Sequence, residues 1–420
     1  MRENWEMKKL SEVCKIRPPK SEARETLSAN DMVSFVPMKS LGIDQKYFDV
    51  KDEKELSSVS SSYTYFKDND VLLAKITPCF ENGKLGIAKN LINGIGFGSS
   101  EYIVYRPSEK LLSEFLYYFL NQETFRKKGE SQMTGAVGHK RIPKEFYEES
   151  QISIPPLEEQ KQIVALLDKA FAAIDQAKTN IEKNIENAKE LFQSKLNDIF
   201  SQQGDGWEEK TILELCDHKS QIVGGPFGSN LKVKDYKETG VPILRLQNIG
   251  KGYFIDKNIK YVDDQKAKEL DYHSFVSGDI ALAKLGIPIG KTCIIPEKFK
   301  YGIVTADVVR IRPNKENINY SFLKHFLNSQ SAVQQLTDDI TGATRPRVNM
   351  AEVRNLKLSV PSKEQQISLN NIIDRLETDI NNVISNYEKK NLDLEELKKS
   401  LLQKAFSGEL TQKEVHEVTP

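Results

Sequence analysis

Histidine and cysteine are the side chains most able to ligate a metal or attack an electrophile, and this chain spaces them for neither purpose. Its five histidines, His139, His218, His273, His325 and His416, show no i, i+4 ligand pair and no clustered acidic partner. Its four cysteines, Cys14, Cys79, Cys216 and Cys293, lie far apart without a C-x-x-C pair, so neither a zinc site nor a disulfide framework is expected. Gly94-x-Gly96-x-Gly98 has glycines at nucleotide-loop spacing. Strand-like EYIVYRP follows it where such a loop needs a helix, so a glycine-rich turn is the better reading. No Walker loop and no Asn/Asp-Pro-Pro-aromatic run occurs, the two Pro-Pro pairs reading RPP and IPP. Nor does any segment announce the cleft of perturbed carboxylates that an active site would need. The chain is expected to be non-catalytic, with no cofactor and no metal of its own.

Binding chemistry is better represented. In the first half, Lys75, Thr77, Asn82, Lys84, Ser99 and Ser100, with His139, Lys140 and Arg141 of the turn TGAVGHKR, set cations and hydroxyls beside glycines. The second half offers Ser229, Asn230, Arg245, Gln247, Asn248, Lys284, Lys291, Thr344, Arg345 and Arg347. Glycine lets a backbone approach a ligand closely, and Lys and Arg supply phosphate contacts. Arg, Asn and Gln can engage guanine or adenine edges with two hydrogen bonds, which singles out Arg245, Gln247 and Asn248. A second reading stays open for each group. Lys75 and Lys284 close apolar strands, where a lysine also snorkels for structural reasons. RLQN (245–248) equally suits a strand end with satisfied amides, and the glycine turns equally suit plain hairpins.

The elements that must position these residues come in duplicate. WEMKKLSEVC opens at Trp5 and WEEKTILELC at Trp207. FKDNDVLLAKI (66–76) returns as FVSGDIALAKL (275–285), and Gly83-Lys84 answers Gly290-Lys291. Tyr105-Arg106-Pro107 answers Ile311-Arg312-Pro313, Phe119-Leu120-Asn121 answers Phe326-Leu327-Asn328, and Thr134-Gly135-Ala136 answers Thr341-Gly342-Ala343. Ordered matches over such length indicate duplication of a unit far larger than a solenoid repeat. Within each copy, short β-rich runs such as DVLLAKI and DIALAKL are broken by Gly, Asn and Pro turns. One helix-like stretch, SEFLYYFLNQ or YSFLKHFLNS, accompanies them, so each copy reads as α+β.

Each copy ends at a proline-marked strand, ISIPPLEEQ or LSVPSKEQQ, after which a Glu/Gln-rich run opens a helix. Apolar positions then alternate by four and three: Ile163, Leu167, Ala170, Ile174, Ala177, Ile181, Ala188 and Leu191. A shift of 206 brings in Leu369, Ile373, Leu376, Ile380, Val383, Tyr387, Leu394, Leu397 and Leu401. The two heptad seams predict antiparallel coiled-coil helices, because the first runs from copy one to copy two and the second starts at copy two. A helix of roughly 40 residues is about 60 Å long. Such a spacer would separate two heads related by a pseudo-twofold axis, an arrangement that suits half-sites recurring every ~34 to 36 Å along B-DNA.

The bulk numbers bound these readings. At 420 residues, 39% hydrophobic and 29% charged, the chain can form two or three domains with sizeable cores. Sixty basic residues balance sixty acidic ones, so global charge lends a polyanion partner no support; a basic face on one side can still sum to zero with acidic surfaces elsewhere. The opening MRENWEMKKL has no apolar signal core and no stretch approaches the ~18 apolar residues of a membrane span, so a cytoplasmic location is expected.

With these strings in place, the chain resembles the specificity subunits of type I restriction-modification enzymes over nearly its whole length. IPPLEEQKQIVALLD at Ile154, LLQKAFSGELT at Leu401, KITPCFENGK at Lys75, GGPFGSNLK at Gly224 and TGATRPRVN at Thr341 carry the resemblance. It implies two target-recognition domains, 1–157 and 204–361, each reading one half of a bipartite, asymmetric site in double-stranded DNA. It also implies conserved helical regions at 158–203 and 362–410 that bind two methyltransferase subunits, followed by a tail, 411–420. Restriction subunits would join that core, and S-adenosylmethionine, ATP and magnesium would belong to the partners. Two departures are local: DIFSQQGDGW replaces the AFSGEL form at the end of the first helix, and PSKEQQ is looser than PPLEEQ. The copies diverge most between Lys15 and Tyr65 against Lys219 and Ser274, as expected if each reads a different sequence. The competing expectation is a coiled-coil adapter that organises protein partners without sequence-specific DNA binding.

Overall fold

The computed structural model describes residues 4–136, 138–201, 204–286, 288–337 and 347–411. They form two compact units, Met1–Ile181 with Lys389–Pro420, and Glu182–Glu388. No helix among the described residues is long and apolar enough to cross a membrane.

The first unit holds two four-stranded sheets and a ribbon. One sheet is antiparallel throughout, in the order Cys14–Ile16, Tyr102–Pro107, Val71–Ala74, Leu85–Ile87. The other runs Asp52–Glu55, Met32–Val36, Ile95–Gly98, Thr64–Lys67, with Met32–Val36 parallel to Ile95–Gly98. Glu6–Lys9 pairs with Gln151–Ile154 as the ribbon. The second unit repeats the sheets strand for strand. Its antiparallel sheet is Ile222–Gly224, Val308–Ile311, Ile280–Ala283, Thr292–Ile294. Its mixed sheet is Lys260–Val262, Val241–Leu244, Tyr301–Val304, Ser274–Val276, and Glu208–Thr211 pairs with Lys357–Val360.

The central strands explain why the repeated strings read as unbroken apolar runs. Successive side chains of a strand face opposite ways, and here both faces are covered. Val71 and Leu73 enter a cluster with Phe115 and Leu116 of the helix Ser113–Leu120, while Leu72 and Ala74 enter another with Phe66, Tyr102 and Val104. Ile280 and Leu282 against Ala281 and Ala283 divide in the same way. One buried ion pair is copied as well. Asp70 takes two hydrogen bonds from Arg106 at 2.8 and 2.7 Å, and Asp279 takes two from Arg312 at 2.7 Å each.

The two long helices are Leu157–Ser201 and Lys363–Ser407. Each is seated by a buried glutamine in the Glu/Gln-rich run. Gln160 accepts from the Leu112 amide at 2.9 Å and donates to the carbonyls of Lys110 and Pro155. Gln366 accepts from the Asn319 amide at 2.7 Å and donates to Pro361. In the first unit the opening half of the first helix meets the closing half of the second, so they run antiparallel. Ile163, Leu167, Ile174 and Ile181 are buried and Ala170 half-buried, with Leu402 and Ala405 buried and Leu394 and Leu401 half-buried opposite. Lys178 pairs with Glu395 across them. In the second unit Ala188, Leu196 and Phe200 of the first helix and Ile373 of the second are buried, with Leu369, Leu376 and Ile380 half-buried.

Three seam positions differ from the heptad reading, two of them repeat-equivalent: Leu191 is 49% exposed and Leu397 46%. A straight α-helix drifts about 20° per seven residues from a strict heptad. After several turns the packed stripe has moved on by one residue, to half-buried Phe192 and buried Leu196 in the first helix and to buried Lys398 and Leu402 in the second. Val383, at 42% exposure, leaves the stripe too.

Candidate nucleic-acid interface

In each unit the buried central strand emerges at a lysine, and there three distant segments meet. The Lys75 amide donates to the Glu101 carbonyl at 2.9 Å and the Ile142 amide to the Lys75 carbonyl at 3.0 Å; the Thr77 amide donates to the Lys140 carbonyl at 3.0 Å. The turn that brings Lys140 and Arg141 in is closed by reciprocal hydrogen bonds between Thr134 and Arg141 at 3.0 and 2.9 Å. Gly135, at φ 125°, supplies a backbone conformation that side chains disfavour. Around this junction Arg141 grips Glu101 with two hydrogen bonds of 2.9 and 2.7 Å. The Lys75 ammonium donates to the Ser100 carbonyl at 3.0 Å and lies 3.9 Å from Glu101, and the Ser99 hydroxyl accepts from the Glu101 amide at 3.2 Å. Lys75, Ser99, Ser100, Lys140 and Arg141 thus form one surface with Glu101 at its centre, beside exposed His139.

The second unit rebuilds it. The Lys284 amide donates to the Asp307 carbonyl at 2.8 Å, the Val348 amide to the Lys284 carbonyl at 3.0 Å, and Arg347 to the Asp307 carboxylate at 2.8 Å. A shift of 206 relates Glu101 to Asp307 and Arg141 to Arg347. The electrostatics match. Burial lowers the Lys75 pKa, with Arg17 and Arg141 adding and Glu101 opposing. Burial lowers that of Lys284, with Arg347 adding and Asp307 opposing. Hydrogen bonding from Arg141 holds the Glu101 carboxyl below its ordinary range. Glu101 contacts both cations of the first unit, and in the second Asp307 contacts Arg347 while its charge favours the Lys284 ammonium, offsetting the repulsion between the two cations.

Other candidates from the sequence fall away from these junctions or serve the scaffold. The Thr77 hydroxyl donates to Glu81 at 2.7 Å, and the Lys84 ammonium donates to the Met38 carbonyl at 2.8 Å. Asn82, Ser229, Asn230 and Gln247 are exposed, and Lys291 is half-buried. Arg245 donates to the Asn258 carbonyl and lies 5.9 Å from the centre of the Tyr236 ring. Asn248 corrects the sequence reading, because it is wholly buried. Its side chain accepts from the Arg245 amide at 3.1 Å and donates to the carbonyls of Ile255 at 3.1 Å and Lys257 at 3.0 Å, leaving nothing to offer a base. Thr344 and Arg345 lie outside the described residues.

Sequence reading missed Glu101 and Asp307. The signal was available, since both stand directly before the repeated strand at the same offset, in SSEYIVYRP and TADVVRIRP. It also left the histidines without acidic partners, whereas His325 meets Asp374 at 2.9 Å, and Glu377 completes a group of potential ligand atoms within 4.8 Å of one another. Tyr118 donates to Asp168 at the corresponding place in the first unit, so this contact in both copies ties the short helix to the long one. Burial holds the His325 imidazole down to about 4.

Comparison with known proteins places this architecture. The profile of the type I restriction modification DNA specificity domain matches residues 2–187 and again 204–391. The EcoAI and EcoEI type I restriction enzyme specificity subunits of Escherichia coli are 31% and 32% identical over 64% of this chain, a match spanning 43% of each relative. The MjaVIII specificity subunit of Methanocaldococcus jannaschii is 23% identical over 99% of this chain and 95% of its own. Among solved structures, a chain from a study of assembly and conformational transition in the type I restriction-modification system superposes with a TM-score of 0.75 at 17% identity, covering 98% of this chain and 99% of that one. The HsdS subunit of Thermoanaerobacter tengcongensis superposes with a TM-score of 0.61 at 17% identity, covering 98% of both chains. With the domain matched twice along most of its length and the fold shared end to end, the chain belongs to the type I restriction-modification DNA specificity family.

Proposed function

We propose that the chain is the DNA-recognition subunit of a type I restriction-modification complex. Each unit reads one half of a bipartite, asymmetric duplex site, and the helical span between the units sets the gap. The observation that carries this reading is the twice-built Lys–carboxylate–Arg junction, Lys75–Glu101–Arg141 and Lys284–Asp307–Arg347. In both units two cations lie at the end of a buried strand, in the first beside the glycine turn between Thr134 and Arg141, while the surrounding loops differ in sequence. A shared phosphate-gripping frame with divergent loops is what a reader of two unlike half-sites requires.

The long helices would dock two methyltransferase subunits. Each unit leaves an apolar residue of either helix in solvent at repeat-equivalent positions, Leu166 (46%) and Leu397 (46%) in the first, Ile372 (55%) and Leu191 (49%) in the second. Apolar side chains repeated in this way suit two like partners. The chain would contribute no catalytic step; methyl transfer with S-adenosylmethionine, and ATP- and magnesium-dependent work by restriction subunits, would fall to the partners. Co-expression with the methyltransferase subunit, followed by methylation sequencing, tests the reading. A split motif with a constant gap is expected. A stable complex that methylates no new motif and binds no duplex would favour the coiled-coil adapter instead.

A further inference from the structure

The most exposed large apolar side chain among the described residues is Phe227, 84% accessible on the loop that follows the strand Ile222–Gly224. Its stem is rigid. The Gly225 amide donates to the Val308 carbonyl at 3.0 Å, and a Cβ on Gly225 would stand 2.1 Å from the Thr305 carbonyl, so only glycine fits. Pro226 is buried, and beyond the crest the Asn230 amide closes a turn on the Phe227 carbonyl at 2.8 Å. A braced stem therefore holds the ring out in water, apart from every core cluster of its unit.

The surroundings identify what would cover it. A Cβ on Gly224 would lie 3.9 Å from the Lys284 ammonium, so the loop rises beside the Lys284–Asp307–Arg347 junction. Exposed Lys232 and Lys234 follow, with Ser229 and Asn230 between. An aromatic ring flanked by cations and hydrogen-bonding groups complements a polyanion with stacked apolar faces, which is a nucleic-acid duplex. A protein core or a lipid tail would leave those cations stranded. The first unit has no counterpart: after the strand Cys14–Ile16 come Arg17, buried Pro18 and exposed Pro19, then the helix Ser21–Thr26.

We propose that Phe227 inserts as an apolar wedge between adjacent base pairs of the half-site read by the second unit. That half-site would then be selected partly by how readily one step unstacks, which favours flexible pyrimidine–purine steps. The inference rests on the recognition reading above and adds to it a residue and a mode.

The test uses the full chain assembled with its methyltransferase subunit, once methylation sequencing has supplied the motif. Duplexes carry 2-aminopurine, which brightens on unstacking, at successive positions of the second half-site. Emission is expected to rise at one step with the natural protein and with F227L, and to stay flat with F227A. F227A is also expected to lose on the order of 10- to 100-fold in affinity, the range of an aromatic contact to a base, with discrimination at the first half-site unchanged. Specific binding without any rise, or a rise that survives F227A, overturns the wedge and leaves the recognition reading standing. Loss of the methyltransferase subunit from the F227A complex in sedimentation would assign the ring to a protein interface and overturn it as well. Absence of all specific duplex binding by the natural complex would sink both.

Discussion

Arg347→Ala and Asp307→Asn are expected to move DNA binding in opposite directions. The pair meets at 2.8 Å with side chains 53% and 36% exposed, so as a surface ion pair it contributes only about 0–1 kcal/mol to stability. Neither change should disturb folding, and a shift in binding can be read as a shift in contact. If Arg347 faces a phosphate, it releases counterions on binding, and the slope of log K against log salt carries about −0.9 from that one contact. Between about 50 and 200 mM salt, a fourfold rise, one such contact weakens binding by about 4 to the power 0.9, or roughly 3.5-fold. Arg347→Ala should therefore flatten the slope by about one while lowering affinity for every sequence. Asp307→Asn removes an anion from the same surface and should tighten binding. The assay is a salt titration of the methyltransferase complex on the cognate duplex and on duplexes altered in either half. Specificity lost only at the second half-site, with an unchanged slope, would mark Arg347 as a base reader. An unchanged slope and unchanged specificity, or weaker binding by Asp307→Asn, would refute the phosphate-grip argument for this junction.

Three further outcomes follow from the geometry. Asn248→Ala should destabilise the second unit by about 1 to 3 kcal/mol, because it strands one part-buried amide and two carbonyls; an unchanged denaturation midpoint would return Asn248 to the candidate base readers. His325 makes stability depend on acid. Its imidazole is held near 4 in the fold against an ordinary 6.5, so its contribution is full above about pH 6.5 and is lost as pH falls toward 4, by up to roughly 3 kcal/mol. The midpoint of His325→Phe should fall less steeply over that window, and parallel curves would contradict the assignment. Inserting seven residues in register into both long helices should widen the gap in the methylated motif by about 10 Å, or roughly three base pairs, whereas an unaltered gap would show that the helices do not set it.

Several features were readable before any coordinates, and each is local or periodic. Duplication shows because a copied scaffold leaves its strings in the same order at a nearly constant offset, 202 residues between Trp5 and Trp207 and 206 between Arg106 and Arg312. Strands such as Val71–Ala74 and Ile280–Ala283 show as apolar runs because both faces are covered. The long helices show because one face must be apolar every three to four residues. What only the tertiary structure decided depends on distance in space. Leu191 and Phe192 are neighbours of similar hydrophobicity, and the accumulated drift of the helix from a strict heptad is what half-buries the second and exposes the first. Asn248 has the chemistry of a base reader and loses it to burial beneath its own turn. Lys75, Glu101 and Arg141 come from three segments that meet only when the sheet forms, as do His325 and Asp374 across 49 residues. Side-chain type states what a residue could do, but accessibility and partners decide what it does, and both are properties of the folded chain.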